Sequence, residues 1–191
     1  ITNKSGSYSS LSGELHQSLT KLNRTDAIEG SSTPSLGKEK FTVFKLRGFN
    51  YTPINGQWAV SSELKGQLAS RDLPSSELFF FGGGKMGRAY DPAEIIGDKG
   101  IAFRGELEYM LSIPWLKDFR QRAFGFYDIG KTWDIPTGVH ASAASLGAGI
   151  NLRSKHFEIT IEAANPQTRD IFLERDEGNQ ARVFGEIKLL F

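Results

Sequence analysis

Two groups of residues in this chain have types and spacings that could support chemistry. Gly82-Gly-Gly-Lys85 resembles a phosphate-binding loop, but the Walker spacing and the Ser or Thr that follows its Lys are absent. Glu106 and Glu108 would share one face of a strand, as the paired acids of a hydrolase do. Arg104 and other charges on the same face offer ordinary neutralisation, so we expect these carboxylates to line a polar surface.

Histidine and cysteine usage limits the remaining chemistry. His16, His140 and His156 are scattered, and no Ser-His-acid set is apparent, which disfavours a membrane phospholipase. The absence of cysteine excludes thiolate metal sites, disulfides and cysteine nucleophiles. The sequence therefore predicts no enzymatic activity, no catalytic residue, no metal site and no cofactor.

Composition alone would describe a soluble globular domain. The 191 residues are 39% hydrophobic and 24% charged, with a net charge of +1 and a mean hydropathy of -0.33. A transmembrane β-barrel gives similar totals, because every second residue of its strands faces a polar lumen. No stretch approaches the roughly 18 apolar residues of a membrane helix. The near-neutral charge argues against a nucleic-acid partner. The chain opens on Ile1 without an initiator Met, so we expect a processed or truncated piece with any targeting signal upstream.

The last eleven residues alternate between two kinds of side chain. Phe191, Leu189 and Ile187 fall on one face of an extended strand, while Lys188 and Glu186 fall on the other. In a soluble domain the apolar face would meet a core, and in a membrane barrel it would meet lipid. The terminal Phe favours the barrel, because bacterial outer-membrane barrels commonly end this way and their assembly machinery reads that ending.

The same alternation recurs seven more times upstream, which predicts eight antiparallel strands and an all-β fold. The apolar faces of these seven segments fall at 11–19, 44–46, 58–68, 101–109, 119–129, 146–152 and 157–161.

The predicted connections alternate in length. Those at 23–40, 71–100, 131–140 and 165–180 are longer than those at 53–57, 112–118 and 153–156. Outer-membrane barrels have short periplasmic turns and long surface loops in this order. We therefore expect an integral outer-membrane barrel, with Trp58, Trp115 and Trp133 at the membrane interfaces.

The longest connection, 71–100, carries the most specific motif. Leu78-Phe-Phe-Phe-Gly-Gly-Gly-Lys-Met-Gly-Arg-Ala-Tyr-Asp91 is followed by Gly97-Asp98 and then by Arg104-Gly-Glu-Leu-Glu-Tyr109. This series resembles the superfamily that contains BamA and the two-partner secretion transporters, and it is most similar to the ShlB type of haemolysin secretion/activation protein. It departs from the family pattern at Ala89, where Gly is usual, and at Gly87, where BamA-like members carry Val.

A second motif supports the resemblance. Phe126-Tyr-Asp128-Ile-Gly130 matches the aromatic-x-Asp-x-Gly strand of the family. The resemblance implies that the long loop folds into the barrel and that Arg88, in a tip shared with Tyr90, pairs with Asp128 on the lumen wall. Without the resemblance, Arg88 would be interpreted as a solvated loop charge.

Other residues enter the expected site through the same resemblance. The loop motif comprises Phe81, Gly82, Gly83, Gly84, Gly87, Gly97 and Asp98, and its glycines would let the backbone double back inside a narrow lumen. The strand motif comprises Arg104, Glu106, Phe126 and Gly130, and the assembly signal comprises Ile187, Leu189 and Phe191.

The strand count indicates where the chain would lie in a family barrel of about sixteen strands. If the last strand of this chain is the sixteenth strand of the barrel, its eight predicted strands are strands nine to sixteen. Residues 1–191 would therefore form the carboxyl-terminal half of the barrel domain. Upstream periplasmic domains and the first barrel half would lie outside the sequence. Whether the fragment closes with eight strands, dimerises through self-association or needs its missing half is left open.

The resemblance implies an outer-membrane pore that exports one large exoprotein of the haemolysin or adhesin type from the periplasm. Its partners would be the secreted exoprotein, outer-membrane lipid and the barrel assembly machinery. One alternative is a BamA-like insertase that assembles other barrels, and another is a soluble β-sandwich binding module.

Overall fold

The computed structural model describes residues 6–18, 40–170 and 180–190. Ten β-strands and two short 3-10 turns, Ser75–Glu77 and Pro114–Leu116, account for the regular structure of these residues. The strands are β1 Tyr8–Gln17, β2 Thr42–Pro53, β3 Trp58–Ala69, β4 Phe79–Phe81, β5 Ile95–Gly97, β6 Lys99–Leu111, β7 Arg120–Trp133, β8 His140–Arg153, β9 Phe157–Asp170 and β10 Arg182–Leu189.

The main sheet is an antiparallel meander. Its eight strands follow the order β1-β2-β3-β6-β7-β8-β9-β10, so each strand pairs with its neighbours along the chain. The match to the eight predicted segments confirms the all-β antiparallel fold. In the described residues β1 and β10 lie at the two edges of this sheet and are not paired with each other.

A second, two-stranded sheet lies within the long connection between β3 and β6. Phe79, Phe80 and Phe81 pair with Gly97, Ile96 and Ile95 in antiparallel register. The predicted loop 71–100 thus begins one residue earlier and ends before Lys99, where β6 starts. We call residues 70–98 the strap.

The burial pattern of the main sheet is the reverse of that in a soluble protein. The inner face, defined as the face that contacts the strap, buries polar side chains such as Gln67, Glu106 and Asp128. The outer face exposes Leu11, Ile101 and other large apolar side chains on all eight strands. Water would oppose such an arrangement, whereas lipid favours it.

The short and long connections lie at opposite ends of the sheet, because every strand is antiparallel to its neighbours. The short ones are residues 54–57, 112–119 and 154–156. The connection predicted at 131–140 shrinks to 134–139, since β7 and β8 extend into it. Most of the predicted connections at 23–40 and 165–180 lie outside the described residues.

The seventh predicted strand was wrong at its carboxyl end. The alternation ends near Asn165, yet β9 continues through Pro166 to Asp170. The register changes there, because Ser145 pairs with Pro166 while Ala144 pairs with Thr168, which leaves one extra residue in β9. Such a bulge accommodates a proline that cannot donate to the ladder. No helix in the described part of the chain is both long and apolar enough to span a bilayer.

Candidate functional site

The strap crosses the inner face and contacts every strand of the main sheet. Its side chains and backbone form hydrogen bonds or ion pairs with one or more residues of each strand in turn. From β1 to β10, these partners include His16, Lys45, Gln67, Arg104, Asp128, Ala144, Glu162 and Arg182. The strap therefore spans the inner face from one edge of the sheet to the other.

Arg88 lies at the centre of these contacts, with only 3% of its surface exposed. Its Nε and Nη2 donate to the two carboxylate oxygens of Asp128, each at 3.1 Å. This two-bond arrangement matches the planar fork of a guanidinium to a carboxylate. The structure thus brings together the two residues that the resemblance pairs.

The Asp128 carboxylate binds the strap backbone as well as the Arg88 side chain. Its Oδ2 accepts hydrogen bonds from the backbone N–H groups of Gly87 and Arg88, at 3.0 and 3.2 Å. Asp128 itself is 0% exposed, so its charge is stabilised by these donors and by the Ser145 hydroxyl, which lies 3.5 Å from Oδ2. Removing one partner of such a buried pair costs about 3 to 5 kcal/mol.

Two further carboxylates reach the same guanidinium, and the resemblance did not identify this role for either. Arg88 Nη1 donates to Glu106 Oε1 at 2.8 Å and to Glu162 Oε2 at 3.3 Å. Glu106 was predicted as part of the strand motif, and Glu162 lay on the polar face of its strand. Their alternation places both on the inner face, but it cannot say where a loop will meet them.

Glu106 and Glu108 are neutralised by other charges of the inner face rather than by Arg104. Arg122 lies 3.1 Å from Glu108 and 3.7 Å from Glu106. Arg104 instead pairs with Glu63 at 3.3 Å and donates to the strap carbonyl of Lys85. The antiparallel register explains this, because Arg104 lies opposite Glu63 and Arg122 lies near Glu108 on the adjacent strand.

The strand motif supplies packing around the ion pair. The guanidinium carbon of Arg88 lies 3.2 Å from the ring centroid of Phe126, so the ring supports the cation from one side. A β-carbon on Gly130 would lie 2.4 Å from the Phe81 ring. Gly130 therefore leaves the space that Phe81, which is 1% exposed, fills.

Tyr90 fastens the strap to the wall beyond Asp128. Its hydroxyl donates to the carbonyl of Ala144 at 2.8 Å and also contacts the carbonyl of Thr168. Both carbonyls flank the β8–β9 bulge, where the ladder register changes. The Tyr90 ring also belongs to a buried apolar cluster that joins the strap to β6, β7, β8 and β9.

The strap glycines are not equivalent. Gly82, Gly83 and Gly87 have φ values of 119°, 100° and 83°, which disfavour any residue with a β-carbon. Gly84 has no positive φ, and a β-carbon there would meet nothing within 4 Å, so neither the backbone conformation nor the space requires a glycine at that position. Ala89 also has no positive φ, and the departure from the family Gly creates no strain there.

Gly97 and Asp98 close the end of the strap. Asp98 Oδ1 accepts from the backbone N–H of Leu73, and Oδ2 accepts from that of Ile135, both at 2.7 Å. A β-carbon on Gly97 would lie 2.7 Å from the carbonyl oxygen of Trp133. These contacts join both ends of the strap to the connection between β7 and β8.

A second anchor lies on the same inner face, at the edge of the sheet formed by β1 and β2. Glu77 Oε2 accepts from Lys45 Nζ at 2.6 Å and lies 3.2 Å from His16 Nδ1. The hydrogen bond from Lys45, supported by His16, holds the pKa of the Glu77 carboxyl below its usual value despite partial burial. The strap is thus tied to the first two strands as well as to Asp128.

The residues expected to form the assembly signal lie apart from the strap. Ile187 and Leu189 are exposed on the outer face of β10, and Phe191 lies outside the described residues. The described residues contain no group of three or more His, Asp or Glu side chains suited to a metal ion. What the geometry provides is a strap held against the inner face by the central Arg88–Asp128 ion pair and several peripheral contacts.

Comparison with known proteins agrees with this geometry. The sequence profile of the family described as haemolysin secretion/activation protein ShlB/FhaC/HecB matches residues 4–152. The match includes the strap, Asp128 and most of the sheet. The chain belongs to this family. The resemblance seen in the sequence motifs is therefore confirmed.

Among solved structures, the chain is similar to CdiB from Escherichia coli. The TM-score is 0.72 at 18% sequence identity, and the alignment covers 95% of this chain. It covers 33% of the CdiB chain, so this chain spans about a third of that protein. Curated proteins gave no match in sequence.

The family consists of outer-membrane β-barrel secretion transporters rather than enzymes. The chain is thus assigned to a family of haemolysin secretion/activation proteins.

Proposed function

We propose that this chain forms part of an outer-membrane pore that exports one large secreted protein, of the haemolysin or adhesin type, from the periplasm. The observation that carries the proposal is the strap on the inner face, held by Arg88 on Asp128. A transport pore must stay closed at rest and open for its substrate. A plug fixed by a few concentrated polar contacts meets both needs.

The proposed mechanism is passive. At rest, Arg88, Tyr90 and Asp128 hold the strap in the lumen. The exported chain, unfolded and bound to upstream periplasmic domains, displaces or remodels the strap. Folding of the exported protein outside the cell then supplies the free energy of transport, with no nucleotide, cofactor or catalytic step.

We further propose that residues 1–191 are the carboxyl-terminal part of a barrel of about sixteen strands. The alignment over a third of CdiB and the two sheet edges in the described residues support a partial barrel, and the carboxyl-terminal position follows from the resemblance of the sequence motifs. The apolar outer face would contact outer-membrane lipid. Ile187, Leu189 and Phe191 would form the signal read by the barrel assembly machinery.

Deletion of the gene tests the proposal. We expect one large exoprotein to disappear from the culture medium while the amounts of other outer-membrane proteins stay unchanged. Complementation with the wild-type gene should restore that exoprotein. A general loss of outer-membrane proteins would contradict the transporter and favour the insertase.

Detergent dependence tests the membrane placement separately. The exposed apolar side chains of the outer face predict that the protein is soluble only with detergent or lipid. A monodisperse protein in plain buffer would contradict the membrane placement and favour a soluble binding module.

A further inference from the structure

A groove of about 720 Å³ lies on the outer face, near the end of the sheet with the longer connections. Gly66 forms its floor, between Leu46 and Ile101 in the register of β2, β3 and β6. Phe44, Leu68 and Trp133 form its walls. The groove exists because Gly66 has no side chain in a row of large apolar residues.

One lysine, Lys99, lines this groove, and a second, Lys131, lies beside the lining residues Ile101 and Trp133. Lys99 is directly opposite Trp133 in the register of β6 and β7, and Lys131 precedes Trp133 by two residues on the same outer face. Lys131 Nζ lies 5.4 Å from the ring centroid of Trp133. Neither ammonium group forms an ion pair within the described parts of the chain.

Asp134 also borders the groove, but its carboxylate is already engaged in the β7–β8 connection. Its Oδ1 accepts from Thr137 N at 2.9 Å and from Thr137 Oγ1 at 2.6 Å. Asp134 thus shapes the turn, and its carboxylate forms no ion pair with either lysine in the described residues.

A lysine on the lipid-facing side of a barrel strand is unfavourable near the bilayer centre and tolerated near the interface. Two of them beside an interfacial Trp give a positive patch where lipid headgroups lie. An acyl chain complements the apolar groove, and a phosphate complements the ammonium groups. The two features adjoin each other, so one molecule can satisfy both.

We propose that this groove binds a phosphorylated acyl lipid of the leaflet at that end of the sheet, with an acyl chain over Gly66 and a phosphate at Lys99 and Lys131. The inference rests on the proposed membrane placement of the chain. It is independent of the strap and of the exported substrate. The ligand is an intact lipid rather than free phosphate, because the groove buries apolar surface beside the charge.

Native mass spectrometry of the full protein, released from detergent micelles, tests the proposal with diphosphorylated lipid A as the probe. We expect the Lys99→Gln and Lys131→Gln substitutions to weaken binding by about fivefold each. Gly66→Leu should also weaken binding, because its side chain fills the groove floor without backbone strain. The matched control is Lys117→Gln with Lys155→Gln, in the short connections at the other end, and it should bind like wild type.

Three results would overturn the proposal. One is equal binding by wild type and the double lysine variant, and another is equal loss in the control. The third is complete displacement of the lipid by inorganic phosphate at matched ionic strength, which would indicate a free anion site. Folding of each variant is checked by its retention in membranes. A protein that needs no detergent would contradict the membrane placement itself, so the two failures are distinguishable.

Discussion

Asp128→Asn tests the central contact of the strap with little change in shape. The Asp128 carboxylate accepts two hydrogen bonds from the Arg88 side chain and two from the backbone N–H groups of Gly87 and Arg88. An asparagine amide loses the charge and turns an N–H₂ group toward these donors. The amide N–H₂ group then meets N–H donors of the strap, which the carboxylate oxygens formerly accepted.

The cost can be worked out from the geometry. Breaking a buried ion pair costs about 3 to 5 kcal/mol. Arg88 keeps its hydrogen bonds to Glu106 and Glu162, so we expect the lower end of that range. About 3 kcal/mol corresponds to an increase of roughly 100-fold in the population of the released strap.

The assay uses the absence of cysteine from the chain. Met86→Cys places a single thiol on the strap at a site where Met86 is 6% exposed. Its labelling rate with a membrane-impermeant maleimide reports the population of the released strap when opening and closing are fast relative to labelling. Asp128→Asn should raise that rate by about 100-fold.

Glu186→Gln is the matched control. Glu186 faces the same side of the sheet but pairs with Lys188 at 2.8 Å rather than with the strap. Met86→Cys protein that also carries Glu186→Gln should be labelled at the same rate as Met86→Cys alone. The reasoning is refuted if Asp128→Asn leaves the rate unchanged, or if the control raises it to the same extent.

Three further predictions concern packing, acid stability and membrane contact. Gly130→Ala should destabilise the docked strap by about 1 to 3 kcal/mol, because the added β-carbon meets a strap phenylalanine. Gly84→Ala should be neutral, because its β-carbon meets nothing within 4 Å. Thermal unfolding measures both, and equal effects would contradict the proposed contact between Gly130 and the strap. Lys45 lowers the pKa of Glu77, so the stabilisation by the ionised Glu77 carboxylate is complete above the usual carboxyl pKa and is lost as pH falls through the lowered pKa. Unfolding measured against pH should therefore show a smaller loss of stability at acid pH in Glu77→Gln than in wild type. Identical curves would exclude this anchor. Leu146→Arg on the outer face should lower the free energy of unfolding in the membrane by about 2 to 4 kcal/mol. The measurement is denaturant unfolding of the protein embedded in vesicles. An unchanged denaturant midpoint would argue against lipid contact at this position.

The strands of the main sheet could be predicted because their alternation is local. Ile101 and Phe103 face outward while Glu106 and Glu108 face inward, as the period of two requires. The end of β9 could not be predicted, because a bulge lets the ladder continue past Pro166. That accommodation depends on the partner strand rather than on local sequence.

The site was less accessible to sequence reasoning. Residue spacing placed Asp128 on the inner face, but only the family resemblance indicated its contact with Arg88. Glu162 was missed in this role because it lies two strands beyond Asp128, on β9, and joins the site only through the path of the strap. Contacts made by a long loop depend on where it lands, which periodicity does not encode.

A disulfide between strap and wall tests the proposed gate most directly. An ideal β-carbon at Gly130 lies 2.5 Å from Cγ of Phe81, so Phe81→Cys with Gly130→Cys places the two β-carbons within about 4 Å, as a disulfide requires. The measurement is the amount of exoprotein in the medium from cells carrying this double variant, with and without reductant. We predict that secretion stops when the bond is formed and returns when it is reduced, while each single variant secretes in both conditions. Normal secretion through the oxidised, fully cross-linked protein would contradict the claim that the strap must leave the wall for export.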